Sequence, residues 1–252
     1  MPLVRDPEVL KPLLLRDENA TRSIYNTVSG VGGARVVWIR VDDLRRPQAV
    51  ICRSRVLHRR QMLYMYAKSA KAAERVLAEI PKPWHLSFAA TPARLVPAIR
   101  QALRKRGRKL DWVSPCYLYI LEPGRLRIDR THRVGNLKPA DARLIAEYWP
   151  HGRNPEYVRE RIRSGPTCGI RRNRKLVAWA ITHADGTMGI LHVLDEYRGL
   201  GMARAITTAL AERCLKAGLK PFLYIVKRNR ASINLTESMG FTRQGVYCWF
   251  GE

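Results

Sequence analysis

The spacing of hydrophobic positions changes along the chain in a regular order, and this order predicts alternating strands and helices. Alternation rich in β-branched residues predicts strands, whereas apolar residues three and four positions apart predict helices. In the first half, this predicts strands at 35–41, 48–53, 62–67, 84–89 and 116–121, and helices at 70–80 and 92–106. In the second half, it predicts helices at 139–149, 156–162, 201–216 and 231–239, and strands at 167–171, 176–183, 187–194, 222–226 and 246–250. The predicted fold class is therefore α/β (α+β), with three consecutive antiparallel strands in the second half.

Residues 122–138 are rich in Arg and Gly and poor in apolar side chains, which is typical of a linker. We therefore predict two domains, at 1–128 and 129–252. Both halves contain three successive strands followed by a helix and a further strand, in a similar order. The first half is thus predicted to be an α/β domain and a degenerate counterpart of the second.

Composition narrows the class of protein. Hydrophobic residues make up 46% of the 252 residues, which argues against extended disorder. No apolar run approaches the ~20 residues that cross a bilayer, and Lys11 and Pro12 interrupt the short apolar stretch near the start. We expect no export signal, no membrane association and a cytoplasmic location. The five cysteines are scattered without metal-ligand spacing, so reduced thiols and no metal are expected.

The formal net charge of +25 predicts an attraction for anionic ligands. The basic residues are mostly Arg and are dispersed along the chain, with the densest clusters at 100–109 and 171–175. A nucleic acid is therefore a second partner class, less favoured than a small anionic ligand.

One segment carries chemistry. An apolar strand at 189–194 leads into a turn that contains Arg198, Gly199 and Gly201, and an amphipathic helix begins at once. Glycines allow the backbone to approach a ligand, and the free N–H groups of a first helical turn favour a pyrophosphate. The glycine spacing of a dinucleotide-binding βαβ unit is absent.

The sequence RGLGMA at 198–203 is similar to the R/Q-x-x-G-x-G/A loop of the GNAT acyltransferases. NRASINLTESMGF at 229–241 resembles the N-x-x-(A/S)…G-F element of the same superfamily, and the two together span about 130–252. Residues 194–199 also resemble the glycine N-acyltransferase-like branch. The resemblance implies a mixed, mostly antiparallel sheet flanked by helices, with acetyl-CoA or another acyl-CoA as co-substrate and no metal.

This resemblance also implies an activity. The chain is expected to be an N-acyltransferase, most simply an acetyltransferase, that acts on a primary amine of a small molecule such as an amino acid. A nucleic-acid-associated acyltransferase and a non-catalytic acyl-CoA sensor are the alternatives. The first domain is expected to cover the acceptor site or to pair two chains as a homodimer.

The resemblance further assigns the binding residues. Backbone groups of Leu191, His192 and Val193 would bind the pantetheine arm and polarise the thioester carbonyl. Asn229 and Ser232 would face the pantetheine or the thiolate. The pyrophosphate would be held by the loop residues Arg198, Gly199, Leu200, Gly201, Met202 and Ala203.

The attacking amine must be neutral, so a base must take its proton. His192 and Glu196 are the leading candidates, ahead of His183 and Asp195. Many relatives carry a Tyr that protonates the thiolate where this chain has Thr236, whose hydroxyl is too weak an acid. Ser232, Tyr224, Tyr247 or solvent would have to replace it, unless the thiolate leaves unprotonated.

Overall fold

The computed structural model describes residues 7–31, 33, 35–56, 60–150 and 153–252. Residues 1–6, part of the segment expected to contain no export signal, lie outside this set. The chain forms two compact units: unit 1 runs to Leu118 and includes Gln244–Glu252, and unit 2 is Tyr119–Arg243. None of the helices in the described ranges is long and apolar enough to cross a membrane.

Unit 1 is built on a sheet with helices. Its elements are α1 (Lys11–Leu14), α2 (Glu18–Ser29), β1 (Arg35–Val41), β2 (Ala49–Val56), β3 (Arg60–Ala67), α3 (Ala70–Ala78), β4 (Ser87–Pro92), α4 (Val96–Arg104) and β5 (Trp112–Leu121). The strand order is β1-β2-β3-β4-β10-β5, where β10 is Phe241–Gly251. Strands β1 to β3 are antiparallel, and β3 and β4 are parallel.

The core of unit 1 follows the predicted periodicities. Helices α3 and α4 bury the apolar positions at helical spacing, among them Val76, Leu77, Ile99 and Leu103. These side chains join the core cluster to which the strands contribute Ile51 and Leu63, together with the stacked rings of Phe88 and Phe250. Burial of these faces is what holds the helices against the sheet.

Unit 2 contains the second set of elements: α5 (Ala142–Glu147), α6 (Pro155–Ser164), β6 (Thr167–Arg172), β7 (Lys175–Thr182), β8 (Met188–Val193), α7 (Met202–Lys216), β9 (Phe222–Val226) and α8 (Arg230–Ser238). Strands β6, β7 and β8 form an antiparallel three-stranded sheet, and β9 neighbours β5. Both β5 and β10 contribute residues to each unit.

Several boundaries differ from the prediction, and among them β5 and β10 begin four and five residues earlier than predicted. The strand predicted at 84–89 begins only at Ser87 and continues to Pro92. The helix predicted at 92–106 consequently begins later, with a 3-10 turn at Ala93–Leu95 before α4. Helix α2 was not predicted, because its buried face includes the polar residues Thr21, Asn26 and Thr27 and therefore lacks an apolar period.

The fold-class prediction is confirmed, since the sheets are mixed and mostly antiparallel and carry helices. The domain boundary after residue 128 stays a prediction. All five cysteines are buried and free. Burial raises the pKa of Cys52 and of Cys214 to about 12, so these thiols are unreactive.

Candidate active site

The loop before α7 leaves a helix N-terminus open. Gly199 and Gly201 both have φ of 77°, in the left-handed region where glycine is favoured. Gly201 is the N-cap of α7, and no side chain caps this end. The N–H groups of the first turn therefore stay available to an anion, and the helix dipole adds to their attraction.

Helices α2, α3, α6 and α8 are capped by side chains, whereas α1, α4 and α5 lack a side-chain cap as α7 does, but no left-handed glycine precedes them. In unit 1, the Ser69 hydroxyl accepts a hydrogen bond from the Ala72 N–H and caps α3. In unit 2, Asn229 Oδ1 accepts the Ser232 N–H at 3.1 Å and caps α8. Helix α7 therefore differs from both in the feature that an anion site requires.

Arg198 braces this loop against the end of β8. Its Nε donates to the Val193 carbonyl oxygen at 3.4 Å, and its guanidinium lies 2.7 Å from Asp195 Oδ1. Both charged side chains are largely exposed, so their pairing contributes little to stability. Arg198 thus carries its positive charge within the loop that precedes α7, where it is paired with Asp195.

Strand β8 has a bulge near its centre. Trp179 pairs with His192 and Ile181 with Gly189, so one residue of β7 faces both Ile190 and Leu191. Ile190 has φ of 46°, an outlier for a β-branched residue. Such strain is held in place by the surrounding fold and is common at functional sites.

Among the described residues, strand β8 is not paired with β9, the next strand along the chain. Cα atoms of β8 and β9 come within 8 Å of each other, yet the two strands are not hydrogen-bonded neighbours in the described part of the chain. The free edge of β8, which includes Leu191, His192 and Val193, therefore presents backbone groups for a ligand.

His192 lies in an aromatic environment on this strand. Its ring stacks on Trp179 with centroids 5.0 Å apart, the Tyr148 ring lies 4.7 Å from it, and these two aromatic rings also contact each other. Burial, followed by the charge of Arg198, lowers the pKa of His192, while Asp195 acts in the opposite direction. The neutral imidazole is therefore favoured near neutral pH.

Two nitrogens of this cluster lack partners. His192 Nε2 and Trp179 Nε1 are both shielded from solvent, with no hydrogen-bond partner among the described residues. A buried polar atom of this kind costs about 1–3 kcal/mol and calls for an explanation. A polar ligand that contacts the cluster would satisfy one or both atoms.

The remaining predicted residues are placed as follows. Glu196 is exposed on the 3-10 turn Asp195–Tyr197, and Ser232 is half-buried in the first turn of α8. Asn229 Oδ1 is engaged in the cap of α8, so its contact with pantetheine stays a prediction.

The predicted loop residues differ in burial: Leu200 is exposed, whereas the Met202 side chain is buried and Ala203 is half-buried.

Other proposed acids and bases have different surroundings. The His183 Nδ1 lies 3.1 Å from the Tyr157 hydroxyl. Thr236 is buried, and so is Tyr247, which belongs to unit 1. Burial raises the pKa of Tyr247, which makes its hydroxyl a poorer acid than usual.

Two site residues were missed by sequence reasoning. Tyr148 covers His192, and His132 contacts the Leu200 carbonyl oxygen with its Nε2 at 2.6 Å. His132 belongs to the Arg- and Gly-rich stretch interpreted as a linker, where no periodicity marks its role. Tyr148 directly follows helix α5, and no sequence motif indicated a role for it.

These features fit an acyl-CoA. The open end of α7 would hold the pyrophosphate, and the free edge of β8 would bind the pantetheine arm. A side chain added at Gly199 would meet no atom within 4 Å, so the loop has space beside it.

Comparison with known proteins gives two sequence matches to part of the chain. Residues 167–250 match the family model described as FR47-like protein. A 77-residue stretch is 38% identical to the mycothiol acetyltransferase of Thermobispora bispora, and this match covers 27% of the present chain and 26% of that relative.

Solved structures extend the likeness to almost the whole chain. A Drosophila protein has a TM-score of 0.82 at 16% identity, with 99% of this chain and 97% of that chain covered. A GCN5-related N-acetyltransferase from Kribbella flavida has a TM-score of 0.60 at 14% identity, with 92% and 93% covered. The fold is that of the GNAT superfamily of acetyltransferases. The shared fold includes the first half of the chain, which is GNAT-like as predicted.

Proposed function

We propose that this chain is an acyl-CoA-dependent N-acyltransferase, which transfers an acetyl or other acyl group from coenzyme A to a primary amine. The observation that carries the proposal is the uncapped N-terminus of α7, preceded by two left-handed glycines and placed next to the free edge of β8. An anionic, extended ligand is what this combination binds best.

In this proposal each part of the site has one task. Backbone N–H groups of 199–203 bind the pyrophosphate, with Arg198 supplying positive charge. Leu191, His192 and Val193 bind the pantetheine arm through their backbone and orient the thioester. When bound, acyl-CoA supplies the activated acyl group.

The residues of the protein itself carry out the proton transfers of the reaction. His192, neutral because its pKa is lowered, takes the proton from the amine as the amine attacks the thioester carbon. The carbon–sulfur bond then breaks and the sulfur leaves as a thiolate. Solvent supplies the proton to the thiolate, and Ser232, half-buried at the start of α8, donates a hydrogen bond to the sulfur or relays that proton, whereas Thr236 is buried. Glu196 is the rival base.

The acceptor is proposed to be a small amine such as an amino acid. The resemblance of residues 194–199 to the glycine N-acyltransferase-like branch supports this class. A net charge of +25 also suits a carboxylate-bearing acceptor and disfavours a polyamine. The name of the Thermobispora bispora relative supports acetyl as the transferred group.

Calorimetric titration with acetyl-CoA and longer acyl-CoAs tests the proposal. We expect micromolar binding, lost in the double variant Arg198→Ala, Gly201→Glu, and release of free thiol when a suitable amine is added. The matched control is Arg100→Ala, Arg104→Ala, which removes the same amount of positive charge from unit 1. Absence of wild-type binding to every acyl-CoA would contradict the proposal, and binding without turnover on any amine would indicate a sensor.

A nucleic-acid-associated function has one specific support in unit 1. Arg100, Arg104 and Lys109 line a groove of about 490 Å³. However, two other arginines of this cluster are structural: Arg106 binds the Ile80 carbonyl oxygen, and Arg108 binds Glu252. Retention of the wild type on an anionic polymer at physiological salt, lost in the control variant above, would favour this second candidate. A homodimeric state and a cytoplasmic location stay predictions.

A further inference from the structure

The segment just before the first helices of unit 2 is fixed along α7. The Asp129 N–H donates to Thr208 Oγ1 at 3.2 Å, and Arg130 makes two hydrogen bonds of 3.0 Å to Glu212. Thr131 closes a local turn, since its N–H and its hydroxyl both donate to Asp129 Oδ1. This segment is therefore held in one place, and His132 follows it directly.

His132 connects two parts of the site. Its Nε2 lies 2.6 Å from the Leu200 carbonyl oxygen, and its Nδ1 lies 2.8 Å from the Arg172 guanidinium. A carbonyl oxygen only accepts and a guanidinium only donates. The two contacts together therefore require the neutral tautomer of His132 with its proton on Nε2.

The contact with Leu200 fixes a peptide plane in the pyrophosphate loop. The Leu200 carbonyl and the Gly201 N–H belong to one planar trans peptide and point in opposite directions. When His132 holds this carbonyl, the Gly201 N–H must point away from His132. Without this contact, glycine on both sides of Leu200 gives the peptide unusual freedom to rotate.

We propose that His132, supported by Arg172, is a positioning residue that orients the Leu200–Gly201 peptide for pyrophosphate binding. The inference rests on the proposed function, because the loop is taken as the pyrophosphate site. His132 acts through Leu200 and does not contact the reacting atoms. Its contribution is therefore confined to donors that carry a pyrophosphate.

A comparison of two acyl donors distinguishes this positioning role from a general structural role. Acetyl-CoA has the pyrophosphate, whereas S-acetylpantetheine has the same thioester and lacks it. For His132→Ala we expect kcat/KM with acetyl-CoA to fall about three- to tenfold, the size of one lost hydrogen bond. We expect kcat at saturating acetyl-CoA and kcat/KM with S-acetylpantetheine to stay unchanged. His132→Gln, whose amide N–H can replace Nε2–H, should recover part of the loss.

The control is His85→Ala, which removes an exposed histidine from unit 1. Equal losses for both donors in His132→Ala would show a general structural role and overturn the inference, as would no loss for either donor. Both of these results presuppose a wild type that uses acetyl-CoA. A wild type that uses neither donor would instead contradict the proposed function, and the inference with it.

Discussion

Replacement of His192 by glutamine tests the catalytic assignment most directly. Glutamine is similar in size and can hydrogen-bond, but it cannot accept a proton near neutral pH. A positioned general base contributes about 10²- to 10⁴-fold to the rate. We therefore expect kcat of His192→Gln to fall by this amount, which corresponds to about 3–5 kcal/mol in the activation free energy.

The fold should survive this change. The His192 ring contacts Trp179 and Tyr148, and each such ring pair is worth about 0.5–1.5 kcal/mol. This loss is smaller than the total stability of a typical domain, about 5–15 kcal/mol. The variant should therefore remain folded, which circular dichroism and thermal unfolding would check.

The assay measures kcat/KM as a function of pH, with the release of free thiol from acetyl-CoA as its signal. The five protein cysteines are buried, so a thiol reagent gives little background. Protonated His192 is inactive, and burial lowers its pKa below the ordinary value. At saturating amine, with kcat/KM taken for acetyl-CoA, the acid limb that belongs to His192 should therefore lie below about pH 6.5, at the acid side of the usual histidine range.

The control is Glu196→Gln, which replaces the exposed rival base. It should keep a near wild-type rate and the same acid limb. If His192→Gln retained the rate within a few-fold, or kept the acid limb, the assignment of His192 would be refuted. Loss of activity in Glu196→Gln alone would transfer the role to Glu196.

Two further predictions concern the framework of unit 2. Gly240→Ala should lower the melting temperature strongly, because a Cβ there would lie 2.0 Å from the Arg125 carbonyl oxygen. At Gly199, a Cβ would meet no atom within 4 Å, so Gly199→Ala should lower the free energy of unfolding by only about 1–2 kcal/mol, on account of its positive φ. A small shift for Gly240→Ala would contradict this packing. Thr236→Tyr, which restores the residue of many relatives, should not raise kcat and should destabilise the protein by about 1–3 kcal/mol, because Thr236 is only 4% exposed. An increased kcat would show that position 236 reaches the site.

The sequence by itself determined the elements that carry their own apolar period and the loop that carries the motif. Strand Phe222–Val226 has the bounds predicted, and α7 begins within one residue of its predicted start. The backbone geometry of the proposed anion site was predictable for the same reason, since its parts are consecutive backbone groups. Two glycines in left-handed conformation and a helix N-terminus need no distant residue to form.

Tertiary structure alone decided which side chains surround that loop and that strand. His132 meets Leu200 across 68 positions of sequence, from a stretch that read as a linker. Tyr148 and Trp179 contact the His192 ring only because the fold brings these separate residues together. Helix α2 escaped prediction because its buried face is partly polar, and the bulge at Ile190 depends on the pairing of β8 with β7. Each of these features depends on contacts between residues distant in sequence, and local propensity and periodicity do not indicate such contacts.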